Sequence, residues 1–406
     1  MDFSLTDEHL LISKTAKEFA TREIYPGLKK RDEECIPDFE IIKKMGREGF
    51  LGICIPKKYG GQGFDYTSLG LICIEFEKVD TSARVVLSVH TGLTCMTLLQ
   101  WASEEQKKRF LIPLAKGEKI AGFGLTEPNA GSDVVGIQAR AKRDGNHYIL
   151  NGEKTWISLA DLADLFLVIA YTDESKKSKG MSAFIIERGM KGLSTSSLHG
   201  KLGVRAGNTG SISMQDLRVP KENLIGNEGD GFKIAMCALD SGRYTVASGA
   251  VGIIEACLEI SLKYAHERET AGKEIGRHQL VQQMIAKMVS ARDIGRLLTY
   301  NVGWLKNTGK RNTRETSLAK WVNCNSAFES ANDALQILGA YGYSNEFDIE
   351  RHFRNSRGAM IYEGTREIHT LMQAEYALGY RSDKLLEKNL PSWPFKEEPA
   401  FEAEPV

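Results

Sequence analysis

The sequence predicts an α+β protein built from three successive parts, helical, then β, then helical. Apolar residues recur at helical spacing through about residue 120, and alternating runs broken by Gly, Asn and Asp take over from there. Long helical runs return after Gly231. At 406 residues the chain exceeds one ordinary core, which agrees with two or three domains. The expected boundaries are 1–120 for an N-terminal α-domain, 121–231 for a middle β-domain, 232–381 for a C-terminal helical domain and 382–406 for a surface tail.

In the first part, Thr6 stands where it can cap a helix whose first turn is acidic, and Leu10, Leu11, Ala16, Phe19 and Ala20 follow at helical spacing up to Pro26. A second amphipathic helix is expected over Phe39 to Glu48, then a glycine-rich loop over 56–64. Two mainly apolar helices, Ser68 to Val79 and about Ala83 to Trp101, join at Asp80–Ser82, and another helix runs from Glu104 to near Gly117. In the β part, Asp144-Gly145 and Asn151-Gly152 are hairpin signals. Helical runs then cover Phe232 to Arg268, Gln279 to Lys306 and Thr316 to Leu338, with apolar faces broad enough for a bundle. Such a bundle needs a closed core, so the two helical parts are expected to pack together.

Lys plus Arg and Asp plus Glu are equal at 53 each, which gives no support for a polyanionic partner. Seven scattered cysteines without C-x-x-C read as reduced, buried thiols, and no metal site is expected. The acidic N-terminus lacks a signal h-region or basic transit peptide, and no window is expected to approach a membrane span, so the reading is a bacterial cytoplasmic protein without a membrane or nucleic-acid partner.

The chemistry concentrates at Arg357 to Leu371, R-G-A-M-I-Y-E-G-T-R-E-I-H-T-L. Glu363 stands between Tyr362 and Gly364, with apolar residues on either side, while Thr365 and Glu367 can cap the helix that follows. A carboxylate held on a turn in a partly apolar site has its pKa raised toward that of a general base. The competing reading is a helix-capping loop with an exposed glutamate.

F-G-L-T-E-P-N-A-G-S-D (123–133), N-G-E-K-T-W-I-S (151–158), L-D-S-G-R (239–243), Q-I-L-G-A-Y-G-Y (336–343) and M-I-Y-E-G-T-R-E-I (360–368) occur in order over nearly the whole chain. Together they resemble the acyl-CoA dehydrogenase family. The resemblance implies an N-terminal helical domain, a middle β-domain and a C-terminal four-helix bundle, with FAD held between them and across a subunit boundary in a homotetramer. It also implies electron-transferring flavoprotein as electron acceptor. Glu363 matches the catalytic glutamate that removes the α-proton of an acyl thioester, with Tyr362 and Gly364 on the substrate side. Phe123, Leu125, Thr126 and Gly131 match the flavin-contacting segment, and Ser132 matches a polar contact near the flavin or ligand phosphate. Trp156, Ile157 and Ser158 match the segment packed on the flavin ring. Arg268 and Gln279 match residues that hold the FAD of a neighbouring subunit, while Gln336, Gly339 and Gly342 match the adenosine side. Thr365 and Glu367 match further FAD contacts, and Arg243 matches a substrate-binding arginine.

Departures from the family pattern are Ala271, where an aromatic is usual, and Gly242, where some members carry their base. Around F-E-K-V-D-T-S-A-R-V-V-L-S-V (76–89) the chain resembles the glutaryl-CoA dehydrogenase branch, and Glu77, Arg84 and Ser88 match its binding site for the substrate's distal carboxylate. Their spacing, i, i+7 and i+11, suggests one helical face, with the arginine fork free to take a carboxylate through two parallel bonds. The competing reading is a solvent-facing arginine beside Asp80. Ala130 and Arg366 depart from the glutaryl enzymes, which points to a relative that handles another dicarboxylyl group. The expectation is (R)-benzylsuccinyl-CoA oxidised to an E-phenylitaconyl-CoA product in anaerobic toluene degradation, with small residues such as Thr91 and Gly92 giving room for the ring. Glutaryl-CoA dehydrogenation, with or without decarboxylation, and short-chain acyl-CoA dehydrogenation are the alternatives. A flavin oxidase and a non-catalytic flavin-binding scaffold are the readings from other classes.

Overall fold

A computed structural model describes residues 4–383 and 386–396. The N-terminal helix Asp7–Phe19 starts where Thr6 accepts a hydrogen bond from the His9 amide, and it continues through a π-helical turn, Ala20–Ile24. Helices Leu28–Glu34 and Phe39–Arg47 follow. Asp65 caps the helix Tyr66–Val79, and Asp80 caps Thr81–Trp101, so each short acidic side chain satisfies amides that the helix start leaves free. Between these two helices the chain breaks at Asp80, which is extended (φ −149°). Within Thr81–Trp101, residues Leu87–Cys95 wind as a π-helix.

Strands β1 (Ala121–Gly124), β2 (Arg140–Asp144), β3 (His147–Ser158), β4 (Leu165–Tyr171), β5 (Met181–Glu187), β6 (Leu193–Ser197), β7 (Thr209–Pro220) and β8 (Leu224–Ile225) make one sheet. Its order is β6-β7-β3-β2-β4-β5-β8, with β1 parallel to β4. β4 is buried along its whole length, which explains its unbroken apolar sequence L-F-L-V-I-A-Y. Asp144-Gly145 lies in the β2–β3 hairpin as expected. Asn151-Gly152 does not form a second hairpin. It is a register shift inside β3 against β7, where Gly152 (φ +140°) lies so close to Ala139 that a Cβ would sit 2.7 Å from its Cα.

Helical structure resumes with Gly231–Glu267, Gln279–Asn307 and Thr313–Leu338, followed by the shorter Ile349–Ala359 and Arg366–Ala377. The expected four-helix bundle is thus drawn, among the described residues, as three long helices and two short ones meeting at a turn over residues 360–365. The two helical parts do pack together. Gly252 lets Gly231–Glu267 approach Tyr66–Val79 so closely that a Cβ there would stand 2.2 Å from the Ile74 carbonyl.

Two expectations need correction. Thr81–Trp101 and Gly231–Glu267 are each long and apolar enough to cross a membrane, but both are mostly buried inside the protein. A helix apolar on all sides is what a core position demands. All seven cysteines are free, but not all are buried: Cys35 is exposed at the end of the Leu28–Glu34 helix and Cys237 is half-buried. Of the tail, residues 386–396 are docked. Trp393 N donates to the Asn307 carbonyl (2.8 Å), Tyr66 Oη to the Pro391 carbonyl (2.8 Å), and the Phe395 ring meets Tyr66 edge-on. Residues 384–385 and 397–406 of that expectation lie outside the described residues.

Candidate active site

Glu363 sits on the turn between the two short C-terminal helices, closed by Arg366 N donating to the Met360 carbonyl (3.0 Å). The turn needs two successive positive φ angles, +56° at Glu363 and +102° at Gly364. Glycine supplies the second freely, whereas a glutamate in the left-handed region is strained by about 1–3 kcal/mol. Thr365 caps the helix beyond, accepting from Ile368 N (3.4 Å). Part of the Glu363 residue is exposed, but its Oε2 is closed off from solvent and has no hydrogen-bond partner among the described residues. Burial pushes the carboxyl pKa up to about 7, against the lowering pull of Arg84, Lys320 and Arg243. A carboxylate so placed is poised to take a proton near neutral pH.

The carboxylate rests over Gly242 of the Gly231–Glu267 helix. A Cβ at Gly242 would stand 2.2 Å from Glu363 Oε2 and 2.6 Å from Leu93 Cδ2. Gly242→Ala is therefore expected to displace the carboxylate and slow any reaction that depends on it by on the order of 100-fold. Rapid-mixing kinetics, with thermal melting as the control for folding, checks this.

Beside Glu363 lies a polar cluster. Arg84 is 1% exposed. Its Nε and Nη2 meet Glu77 Oε2 and Oε1 (2.5 and 3.1 Å), Nη1 donates to Ser88 Oγ (2.9 Å), and Nη2 also donates to Tyr362 Oη (2.7 Å). Ser88 Oγ lies 2.7 Å from Thr245 Oγ1, which donates to the Gly242 carbonyl (2.7 Å). Glu77 and Arg84 fit against the long helix only because residue 249 is glycine. A Cβ there would be 1.8 Å from Glu77 Oε2 and 2.9 Å from Arg84 Nε. Burial raises the Glu77 pKa and works against the charged guanidinium, but Glu77 and Tyr362 more than offset this for Arg84, whose pKa lies well above its ordinary value.

This geometry corrects three expectations. Glu77 and the Arg84–Ser88 pair are on different helices, meeting across the break at Asp80 rather than lining one face. Arg84 is neither solvent-facing nor free to grip a ligand through two parallel bonds, because Glu77 takes both. Of its five N–H groups, one on Nη1 is left, together with the Tyr362 O–H, as donors toward a ligand. Thr91 and Gly92 do not open a ring pocket: Thr91 Oγ1 donates to the Leu51 carbonyl, and a Cβ at Gly92 would meet Thr245 Cγ2 at 3.3 Å. His90 is satisfied within the core by the Leu114 carbonyl and the Ala121 amide.

Arg243 is buried and holds the turn, its Nε donating to the Glu363 carbonyl (3.0 Å) and its Nη1 to Asp240 (3.3 Å).

The segments expected to face a flavin also converge. Phe123 and Leu125 are buried, and Thr155 N donates to the Thr126 carbonyl (2.9 Å), tying that segment to β3. A second register shift in β3, between Lys154 and Ile157, turns Trp156 outward with φ +58° and 62% of its surface exposed. Ile157 is buried behind it and Ser158 half-buried. Gly131 has open space on its Cβ side and Ser132 is exposed. An exposed, left-handed indole beside a glycine-rimmed loop fits a flat ring system such as a flavin. Sequence reasoning missed what braces this surface: buried Lys154 donates to Glu127 Oε1 (2.6 Å) and the Leu125 carbonyl (3.1 Å), and Glu127 accepts from the Gln138 and Ala139 amides.

The remaining residues lie elsewhere. Arg268 follows the end of Gly231–Glu267, about 39 Å along the helix from Gly242 at 1.5 Å per residue. Gln279 is exposed at the start of the next helix. Gln336 and Gly339 are exposed, and Gly342 is buried against Leu335. Contact between the Tyr264 and Tyr341 rings (6.5 Å) links this region to the end of the long helix. Within one chain, then, these residues do not join Glu363. Glu367 is exposed and pairs with Arg366 (2.8 Å). Ala271, at φ +52°, forms with Gly272 the tight turn between the short strands Glu269–Thr270 and Lys273–Glu274.

The match to known proteins covers this whole arrangement. Residues 6–118, 122–217 and 229–378 fit the N-terminal, middle and C-terminal domains of acyl-CoA dehydrogenase, respectively. The chain belongs to the acyl-CoA dehydrogenase family. It is 41% identical to the short-chain-specific acyl-CoA dehydrogenase of Clostridium acetobutylicum, over 92% of this chain and 98% of that one. It is 38% identical to the glutaryl-CoA dehydrogenase of Desulfococcus multivorans, over 94% and 99%. A glutaryl-CoA dehydrogenase structure with glutaryl-CoA superposes with a TM-score of 0.90 at 37% identity, over 94% of this chain and 98% of that one. As an acyl-CoA dehydrogenase, the protein is an FAD-dependent oxidoreductase acting on the Cα–Cβ bond of acyl-CoA thioesters.

Proposed function

We propose that this acyl-CoA dehydrogenase oxidises a short acyl-CoA thioester carrying a distal carboxylate, with Glu363 as the base for the α-proton. The observation that carries the reading is the buried cluster beside Glu363, which leaves an Arg84 N–H and the Tyr362 O–H as donors for an acceptor at the far end of the acyl chain. Glu363 takes the α-proton through a carboxylate whose Oε2 is closed off from solvent and has no hydrogen-bond partner among the described residues. A bound FAD supplies the two-electron acceptor for the β-hydrogen. Trp156 and the loop at Thr126–Ser132 would hold its ring.

The reading includes a homo-oligomer. Arg268, Gln279, Gln336, Gly339 and Gly342 lie too far from the Glu363 of their own chain, and serving the cofactor of a neighbouring copy accounts for that separation. A homotetramer, electron-transferring flavoprotein as electron acceptor and a cytoplasmic setting are parts of the same proposal.

A second reading, a plain short-chain substrate, is favoured by one fact: Glu77 already neutralises Arg84, so the cluster presents hydrogen-bond donors rather than a bare positive charge. The test is anaerobic bleaching of the flavin by glutaryl-, succinyl-, (R)- and (S)-benzylsuccinyl- and butyryl-CoA, with products weighed by mass spectrometry. Preference for a dicarboxylyl thioester supports the proposal, and preference for butyryl-CoA supports the second reading. Within the first outcome, crotonyl-CoA with CO2 from glutaryl-CoA identifies a decarboxylating enzyme. Selective loss of two hydrogens from (R)-benzylsuccinyl-CoA identifies the narrower phenylitaconyl-forming one.

A further inference from the structure

Lys320 enters the chemistry above only as a positive charge acting on Glu363, yet it is placed as though the site depended on it. It lies on Thr313–Leu338, 1% exposed, and among the described residues its ammonium has one hydrogen-bond acceptor, the Gly364 carbonyl at 2.6 Å. Burying a cation with a single acceptor is costly unless the position gains something from it. From the opposite side, Arg243 holds the preceding carbonyl, that of Glu363 (3.0 Å). Two cations from two long helices thus grip the two carbonyls of the left-handed pair, while Glu363 Oε2 has no hydrogen-bond partner among the described residues.

We propose that Lys320 is the positioning residue that fixes the Glu363–Gly364 turn by its backbone, so that the base is held rigidly while its carboxylate stays free. The inference rests on the reading of Glu363 as the base. A hydrogen bond to the carboxylate would steady it equally well but would weaken it as a base. Gripping the backbone leaves the carboxylate oxygens free for the proton, while the positive charge nearby only moderates the rise in pKa that burial causes. The charged and titratable groups around Glu363 are Arg84 with Glu77, Arg243 with Asp240, Lys320, Tyr362, Cys73, Cys324 and His369. Of these, Arg84, Lys320 and Arg243 act on Glu363 as positive charges. His369, buried and bonded through Nδ1 to Ser317 Oγ (2.9 Å), is kept neutral because burial drives its pKa far down.

The test compares Lys320→Met, Lys320→Arg and Glu363→Gln in the flavin-loaded enzyme, measuring the rate of anaerobic flavin reduction at saturating thioester, KM, and the pH of half-maximal rate. Lys320→Met is expected to slow reduction by on the order of 100-fold with KM little changed. The pH of half-maximal rate should move upward, because loss of a positive charge raises the carboxyl pKa. Lys320→Arg should restore the pH of half-maximal rate and part of the rate. Wild-type rate and pH profile in Lys320→Met would overturn the proposal whatever its melting temperature. Should Lys320→Met fail to fold, Lys320→Gln takes its place, with the same upward pH shift expected and an unmoved profile overturning the proposal. A Glu363→Gln variant that bleaches like wild type would instead defeat the reading of the base.

Discussion

Replacing Glu363 with glutamine is expected to reduce the rate of flavin bleaching by acyl-CoA by about 1,000-fold or more, because the amide cannot take the α-proton. Thioester binding and flavin content should persist, since glutamine has nearly the same shape and the backbone grip by Arg243 and Lys320 is untouched. The variant should also melt no lower than wild type at pH 8. Above a pKa of about 7 the wild-type carboxyl is ionised in a buried site, at a cost that a neutral side chain does not carry. Stopped-flow absorbance and a melting curve check both halves. A variant that keeps wild-type bleaching would remove Glu363 from the mechanism.

Arg84→Met should have the largest effect on stability, because it leaves Glu77 buried without its partner. Removing one member of such a pair costs about 3–5 kcal/mol. Tyr362 Oη and Ser88 Oγ lose donors as well. The double variant Glu77→Gln with Arg84→Met removes the stranded charge and should recover much of that stability without recovering any preference for a dicarboxylyl thioester. Denaturant midpoints for the three proteins separate the two contributions. Equal midpoints for the single and double variants would show that the stranded carboxylate is not what destabilises Arg84→Met.

The broad architecture was readable because each part writes its period plainly. β4 is an uninterrupted apolar run, and the long helices carry apolar residues on several faces. Glu363 was readable because Tyr, Glu and Gly interrupt apolar sequence just before a helix cap. What the sequence concealed depends on contacts across the chain. Arg84 looks like a free fork until the break at Asp80 folds Glu77 back onto it. Asn151-Gly152 has hairpin chemistry, but its place in the middle of a 12-residue strand turns it into a bulge. Lys320 left a local trace, a lone lysine between Ala319 and Trp321 on a helix with an apolar face, but its acceptor lies 44 residues away. Gly249 left another, since glycine inside a long helix costs about 1 kcal/mol and calls for a packing reason. Only the fold supplies that reason, the seat of the Glu77–Arg84 pair.

The most direct measurement is the pH dependence of anaerobic flavin reduction at thioester concentrations well below saturation, where the rate reports the free enzyme's base, from pH 5.5 to 9 in the wild-type enzyme with a short dicarboxylyl-CoA. With Glu363 as the base and burial holding its pKa at about 7, the rate should be highest above pH 7. Below that it should fall about tenfold for each pH unit as the carboxylate is protonated. A rate that stays level down to pH 5.5, with the enzyme still folded, would contradict a buried carboxylate base at this position.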